Sequence, residues 1–273
     1  MPELPEVETI RRGLEPLLRG RRFRDATLRE RRLREPVRPA ELRRLQGARI
    51  DQVRRRSKYL LLDTSEGDTL LIHLGMSGQL WVSEDSRPAR AHEHLALRLD
   101  DGRQLRFADT RRFGMVRVLR TRGLDRHPRL RGLGPEPLEE ALTAAGLHAA
   151  TRGRRKPVKN LLLDTREIAG VGNIYACESL HRAGIHPRRQ VHRIGPAGWT
   201  RLVASLREVL LEAIDMGGTT LRDFRNAEEQ AGYFAISLRV YDREGQPCPR
   251  EDGIVRRIVQ AGRSTFFCPR CQR

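Results

Sequence analysis

Residues 58–119 break into six short apolar runs, at 58–63, 69–74, 79–82, 94–99, 104–107 and 113–119, with turn-forming residues between them. Ser65-Glu66-Gly67-Asp68 and Asp100-Asp101-Gly102 are the clearest of these turns. Short runs bounded by Gly and Asp clusters at regular spacing are the pattern of an antiparallel sandwich. The first half of the chain is therefore expected to be layered β-structure.

A helix is expected in front of it. Over residues 5–18, Ile10, Leu14, Leu17 and Leu18 share one helical face, and Arg19-Gly20 supplies a C-terminal stop. Such a helix would hold Pro2 in a fixed place. Beyond residue 120 the pattern changes: residues 121–135 are rich in Arg, Gly and Pro and read as a linker. Helical spacing follows at 137–146, 157–165, 174–183 and 196–216, the last with Leu202, Leu206, Val209, Leu210 and Ile214 at three- and four-residue intervals. Residues 217–235 are polar and glycine-bearing, a loop, and strand-like pieces at 236–241 and 254–268 close the chain. The expected fold class is α+β, with a sandwich domain and its N-terminal helix over 1–120, a linker at 121–135, a helical domain over 136–235 and a hairpin over 236–273.

Charge narrows the partner. There are 53 Lys+Arg against 35 Asp+Glu, a net +18 spread along the chain. A polyanion is the expected partner, because each phosphate a basic surface neutralises releases counterions. Only Lys58, Lys156 and Lys159 are lysines. Arg stays charged, whereas a desolvated Lys can lose its proton and do chemistry, so Lys58 beside the apolar Tyr59-Leu60-Leu61-Leu62 is a candidate for that use. No window approaches the roughly 20 apolar residues of a membrane span. The N-terminus lacks a signal-peptide pattern, and four cysteines, three of them at or beyond residue 248, do not form a secreted disulfide framework. A soluble, cytoplasmic protein is expected.

Four constellations carry chemistry. Removal of Met1 would leave Pro2 with a free secondary amine, which attacks an aldehyde-like carbon to give an iminium, and Glu3 stands one residue away to move protons. Gly170-Val171-Gly172-Asn173-Ile174-Tyr175-Ala176 opens a helix, where glycines let backbone amides approach a phosphate, with Arg152, Arg154, Arg155, Lys156 and Lys159 just upstream. His73-Leu74-Gly75-Met76-Ser77-Gly78 and Asp109-Thr110-Arg111-Arg112-Phe113-Gly114 are strand-end turns offering a large apolar side chain that could fill a vacated base stack, or simply pack in the core. The tail holds Cys248-Pro249-Arg250-Glu251-Asp252 and Cys268-Pro269-Arg270-Cys271. Two Cys-x-x-Cys knuckles would make a zinc site; here only the second is intact, so Glu251 or Asp252 is expected to complete it, the alternative being a hairpin held by packing.

Together these residues resemble the bacterial formamidopyrimidine-DNA glycosylases (8-oxoguanine DNA glycosylases) over essentially the whole chain. The match rests on Pro2-Glu3-Leu4-Pro5-Glu6-Val7-Glu8-Thr9, Ser57-Lys58-Tyr59, the two turns, the glycine motif, residues 217–224 and the cysteine tail. Leu4 and the following Val-Glu-Thr favour this branch over the endonuclease VIII-like glycosylases of oxidised pyrimidines. The resemblance implies a β-sandwich, a helix–two-turn–helix domain and a zinc finger, and a monomeric bifunctional glycosylase/AP lyase acting on double-stranded DNA with an oxidised purine opposite cytosine. It implies Pro2 as Schiff-base nucleophile, Glu3 as acid, Glu6 as second carboxylate, Lys58 as helper in base loss and β-elimination, and Arg263 as phosphate ligand in δ-elimination. Met76, Arg111 and Phe113 resemble the trio that fills the gap, His92, Arg155, Lys159 and Asn173 map to DNA-contacting positions, and loop 217–235 resembles a lid over the everted base. Zinc would be structural, on Cys248, Cys268, Cys271 and Glu251, with no catalytic metal. A non-catalytic damaged-DNA-binding protein on the same scaffold is the competing expectation.

Overall fold

The computed structural model describes residues 2–84, 86–218, 237–250 and 253–273. The chain divides into two compact units, one built on Met1–Arg131 and the other on Gly132–Asp215 with Phe234–Arg273. The loop expected at 217–235 lies, from residue 219 onward, outside the described residues.

The first unit opens with α1 (Leu4–Leu18) and continues through β1 (Phe23–Leu28), α2 (Pro39–Arg43), β2 (Ile50–Arg56), β3 (Tyr59–Thr64), β4 (Asp68–His73), β5 (Gly78–Glu84), β6 (Glu93–Leu99), β7 (Arg103–Asp109) and β8 (Met115–Arg120). Two four-stranded sheets result, in the orders β1-β6-β7-β5 and β2-β3-β4-β8, and every pairing is antiparallel. Alternation along the strands decides which residues share a core. Leu60 and Leu62 of β3 and Leu70 and Ile72 of β4 join Leu95 and Leu97 of β6 and Leu105 and Phe107 of β7 in one apolar cluster between the sheets. Val7, Ile10, Leu14 and Leu18 extend that cluster along α1. Burying a side chain of this kind contributes about 1.5–3 kcal/mol, so the stripe fastens the helix to the sandwich.

The second unit holds α3 (Ala144–Ala150), α4 (Val158–Leu162), α5 (Asn173–Ala183) and α6 (Pro196–Asp215), followed by a hairpin of β9 (Arg256–Gln260) and β10 (Arg263–Phe267). Trp199, Leu202, Leu206 and Leu210 of α6 are buried, the apolar stripe its spacing predicts, and α6 packs on α5. At the end of α5 Gly184 takes a left-handed φ of 69°, and the Gly184 and Ile185 amides donate to the His181 and Leu180 carbonyls at 3.1 and 3.0 Å. That arrangement is a Schellman-type stop.

Two expected elements are different here. The helix expected at 137–146 begins only at Ala144, because the Thr143 hydroxyl accepts the Gly146 amide at 3.0 Å and caps the helix there. The strand expected at 236–241 is absent from its described residues. The amides of Arg239, Val240 and Tyr241 donate to the Glu178 carboxylate at 2.8–2.9 Å instead of to a neighbouring strand.

Candidate active site

Pro2 is half-buried and immediately precedes Glu3, the N-cap of α1. The cap is reciprocal. The Glu3 amide donates to Glu6 Oε2 at 2.8 Å, and the Glu3 carboxylate accepts the Glu6 amide. Satisfying two orphan donors this way fixes the direction in which the chain enters the helix. Both carboxylates are buried, so two acids are held beside the N-terminal proline.

Lys58 lies at the tip of the β2–β3 hairpin, in a two-residue loop flanked by the pair Arg56 and Tyr59. Ser57 has φ 54°, the positive sign that the first central residue of such a tight loop requires. Lys58 is nonetheless buried. Arg55 links this turn to α1: its Nη1 donates to the Ser57 carbonyl at 2.9 Å and its Nε to Glu8 Oε2 at 3.1 Å. Glu8 sits below the usual carboxylate range, since burial, which pushes it up, is outweighed by Arg11 and Arg55. Neither Arg55 nor Glu8 shows a positioning role in the sequence, where Arg55 stands in the arginine run before Ser57 and Glu8 near the end of the Pro2–Thr9 segment.

The two strand-end turns are organised by Asp109, which is fully buried. Its Oδ1 accepts from Ser77 Oγ at 2.6 Å and from the Arg111 amide at 3.3 Å, and its Oδ2 accepts the Gly114 amide at 2.7 Å. His94 Nε2 lies 2.7 Å from the Asp109 carbonyl. Gly75 completes the join: φ is 64°, and a Cβ there would stand 2.4 Å from the Phe113 carbonyl carbon. These ties bring Met76, Arg111 and Phe113 out at the surface, where Met76 is 39% and Phe113 46% exposed. The Arg111 guanidinium stacks over the Phe113 ring at 5.0 Å. His92 is exposed in a left-handed conformation, φ 61°, just before β6. His73, across the ladder from Tyr59, accepts the Gly75 amide on Nδ1 at 3.0 Å. Burial first, then the Lys58 charge, lowers its pKa to about 4.

In the second unit Arg155 is exposed ahead of α4, whereas Lys159 is fully buried. Lys159 Nζ donates to Thr265 Oγ1 at 2.6 Å and to the Ser264 carbonyl at 3.2 Å. Asn173, the first residue of α5, donates from Nδ2 to the same Ser264 carbonyl at 2.9 Å. Both residues therefore brace the hairpin strand that begins with the exposed Arg263.

Cys248 and Cys268 are buried and Cys271 half-buried, all with free thiols. Cys248 Sγ and Cys271 Sγ are 3.8 Å apart, and against the effect of its burial the Cys268 pKa is lowered, in part by the neighbouring thiols Cys248 and Cys271. Burial and then the neighbouring thiols push Cys271 up to about 12. Three convergent thiols suit a soft, tetrahedral cation such as zinc. Glu251 and Asp252, expected to complete the set, lie outside the described residues. Among the described residues, no helix is long and apolar enough to cross a membrane.

Residues 1–116 match the formamidopyrimidine-DNA glycosylase N-terminal domain, 133–225 the formamidopyrimidine-DNA glycosylase H2TH domain and 245–273 a zinc finger found in FPG and IleRS. Proteins of Cereibacter sphaeroides and Ruegeria pomeroyi, both named formamidopyrimidine-DNA glycosylase, are 51% and 48% identical to this chain, with 100% of each chain covered. The crystal structure of the MutM (Fpg) protein from Thermus thermophilus superposes with a TM-score of 0.87 at 43% identity over 99% of this chain and 98% of that one. Wild-type Lactococcus lactis Fpg (MutM), in complex with DNA containing N7-benzyl-Fapy-dG, superposes with a TM-score of 0.91 at 32% identity over 100% of both.

Proposed function

The chain belongs to the formamidopyrimidine-DNA glycosylase family, and we propose from that premise how its own residues excise a damaged purine and cut the strand. It is a base-excision-repair DNA glycosylase, with the AP lyase activity of its family, and duplex DNA is its partner. Oxidised purines opposite cytosine are the proposed lesions, and the cytoplasm, at the nucleoid, the proposed place of work.

With Met1 removed, the Pro2 nitrogen has a lone pair and a reference pKa of roughly 8, so an unprotonated fraction exists at neutral pH. That pair forms a bond to the anomeric carbon of the lesion's sugar as the base leaves with the electrons of the glycosidic bond. The attached nitrogen gives up its proton to water, Glu3 gives a proton to the ring oxygen, and the freed nitrogen pair opens the ring to complete an iminium. The iminium withdraws electrons from the sugar chain. Loss of a C2′ proton then expels the 3′ phosphate, and a further elimination expels the 5′ phosphate. Lys58 assists base departure and the first elimination, Glu6 holds the Glu3 backbone, and Arg263 binds phosphate for the second.

Arg111 and Phe113, with Met76, are proposed to fill the vacated stack, since wedge side chains offset part of the unstacking cost. His92, Arg155, Lys159 and Asn173 are assigned to the phosphate-binding side, Lys159 and Asn173 acting through the hairpin strand they brace. When bound, zinc would supply only a structural tie, on Cys248, Cys268 and Cys271, that fixes the hairpin carrying Arg263. The proposed division of labour is a catalytic sandwich over 1–120, a linker at 121–135, a helix–two-turn–helix domain over 136–235 and the finger over 236–273.

One observation carries this reading: the reciprocal cap between Glu3 and Glu6, which sets a buried acid directly beside Pro2. Borohydride reduction of the mature protein on a lesion duplex should leave a covalent protein–DNA adduct. A Pro2→Gly variant that traps equally well would overturn the assignment, and wild-type protein that binds the duplex without trapping would make it a non-catalytic binder. A panel of single-lesion duplexes separates oxidised purines from the oxidised pyrimidines of the endonuclease VIII-like branch.

A further inference from the structure

We propose that His181 of α5, not a residue of the finger loop, is the fourth ligand of the zinc site, making a Cys3His centre that joins the finger to the helical domain. The inference rests on reading the cysteine cluster as a zinc site. It concerns which residue closes that site, and it comes from the geometry around α5.

A tetrahedral zinc with Zn–S bonds of about 2.3 Å has S–S edges of about 3.8 Å and, with Zn–N near 2.0 Å, N–S edges of about 3.5 Å. Cys248 Sγ and Cys271 Sγ stand 3.8 Å apart, and His181 Nε2 lies 3.3 Å from Cys248 Sγ. The donor atoms of His181, Cys248 and Cys271 all fall within 4.8 Å of one another, and Cys268 is buried on the same second knuckle as Cys271. Three corners of a metal tetrahedron are therefore already in place, and the buried Cys268 is the remaining thiolate donor.

The imidazole is otherwise unexplained. His181 is fully buried, and its Nδ1 has no hydrogen-bond partner. Its Nε2 faces a thiol, a weak acceptor. A buried polar ring with one nitrogen idle and the other against sulfur is costly unless something stronger compensates it. A cation bound to Nε2 does so.

The placement is also held from several sides. Glu178 lies three residues earlier on the same face of α5, and its carboxylate gathers the amides of Arg239, Val240 and Tyr241. Burial raises the Glu178 pKa against these donors. Arg250, beside the first knuckle, donates to the Arg182 carbonyl at 2.7 Å. Gly184 lies so near the second knuckle that a Cβ there would meet the Cys271 carbonyl oxygen at 3.3 Å. Both knuckles thus dock on the last turn of α5, where His181 sits. A helix ligand also removes any need for a cysteine at position 251, where the chain has Glu251.

Zinc content and zinc X-ray absorption of the full-length protein test the inference without reference to activity. Wild-type protein should hold about one zinc, with three sulfurs near 2.3 Å and one imidazole nitrogen near 2.0 Å. His181→Ala should weaken zinc binding by more than about 100-fold, beyond what the loss of an outer-shell partner costs. Glu251→Ala should leave it unchanged. The double variant His181→Ala/Glu251→Cys should regain tight zinc with four sulfurs, which separates a lost ligand from a lost fold. Oxygen in place of imidazole in the wild-type spectrum, unaltered affinity in His181→Ala, or loss of zinc in Glu251→Ala would each overturn the assignment. Wild-type protein that takes up no zinc would overturn the metal site itself, while borohydride trapping of the same sample reports separately on the enzyme.

Discussion

The Arg55 guanidinium spans two elements: it donates to Glu8 on α1 at 3.1 Å and to the Ser57 carbonyl of the β2–β3 turn at 2.9 Å. The element that carries Pro2 and the turn that carries Lys58 are thereby set against each other through one side chain. Arg55 is a positioning residue, since it acts through the turn that carries Lys58.

Replacing it should cost both stability and turnover. The Arg55 and Glu8 side chains are only 9% and 12% exposed. Glu8 keeps Arg11 as a partner, so Arg55→Ala removes one charge-assisted bond and the tie to Ser57, at about 1.5–3 kcal/mol. A loosened Lys58 should lower the single-turnover rate of base excision while leaving lesion-duplex affinity almost unchanged. Arg55→Lys should not restore the rate, because one ammonium cannot reproduce the forked geometry. Denaturant unfolding and single-turnover kinetics check the two parts; a rate equal to wild type would remove Arg55 from the positioning role.

Asp109 should prove as important for DNA engagement as the residues it exposes. Its carboxylate accepts from Ser77, Arg111 and Gly114, and bonds to a charged acceptor contribute about 1.5–3 kcal/mol each. Asp109→Asn must turn one NH2 edge toward a donor, so about 2–4 kcal/mol of stability should be lost. Affinity for an abasic-site duplex should fall with it, as Met76 and Phe113 lose their fixed exit. Ser77→Ala should show a milder version of both effects. Thermal unfolding and equilibrium binding measure them.

Gly75→Ala provides a separate check on the same join. The left-handed backbone alone costs roughly 1–2 kcal/mol for a residue with a Cβ, and the Cβ would also overlap the Phe113 backbone. Stability should therefore fall by more than this conformational term, and lesion binding should weaken. Unfolding that matches wild type would mean the two turns can separate at little cost.

His73 should impose an acid limit. Its pKa is lowered from 6.5 to about 4, first by burial and then by the Lys58 charge. The unfolded chain then binds this proton more readily than the folded one. Stability is full above about pH 6.5 and declines as pH falls toward 4, by about 3 kcal/mol at most. Protonation at Nδ1 would also remove the acceptor for the Gly75 amide. His73→Asn keeps an acceptor two residues from that amide and does not titrate, so its stability should lose this slope between pH 6.5 and 4. Unfolding curves across the window decide the matter.

Much of this protein was legible in one dimension. The strand runs after residue 58 and the stripes of α1 and α6 are local periodicities, and a side chain's face follows from its spacing. The strands β1 and β2 were harder to read, because charged residues such as Arg24, Asp25 and Arg54–Arg56 break their alternation. The late start of α3 and the missing strand after residue 236 failed for a related reason. A single side chain, Thr143 in one case and Glu178 in the other, took the backbone amides that a periodicity argument assigns elsewhere.

By itself the sequence determined a strongly basic chain with a proline–glutamate start, one isolated lysine in an apolar setting, and three of the four residues of a zinc site. Local chemistry suffices for these, since each is a matter of residue type, spacing or net charge. The tertiary structure alone decided what joins them. Arg55 on Glu8 and Asp109 on Ser77 are pairs far apart in the chain, and His181 and Cys248 are separated by 67 residues. No periodicity reaches across such distances. Only the packing of α1 on the sandwich, and of the finger on α5, brings those groups within bonding range.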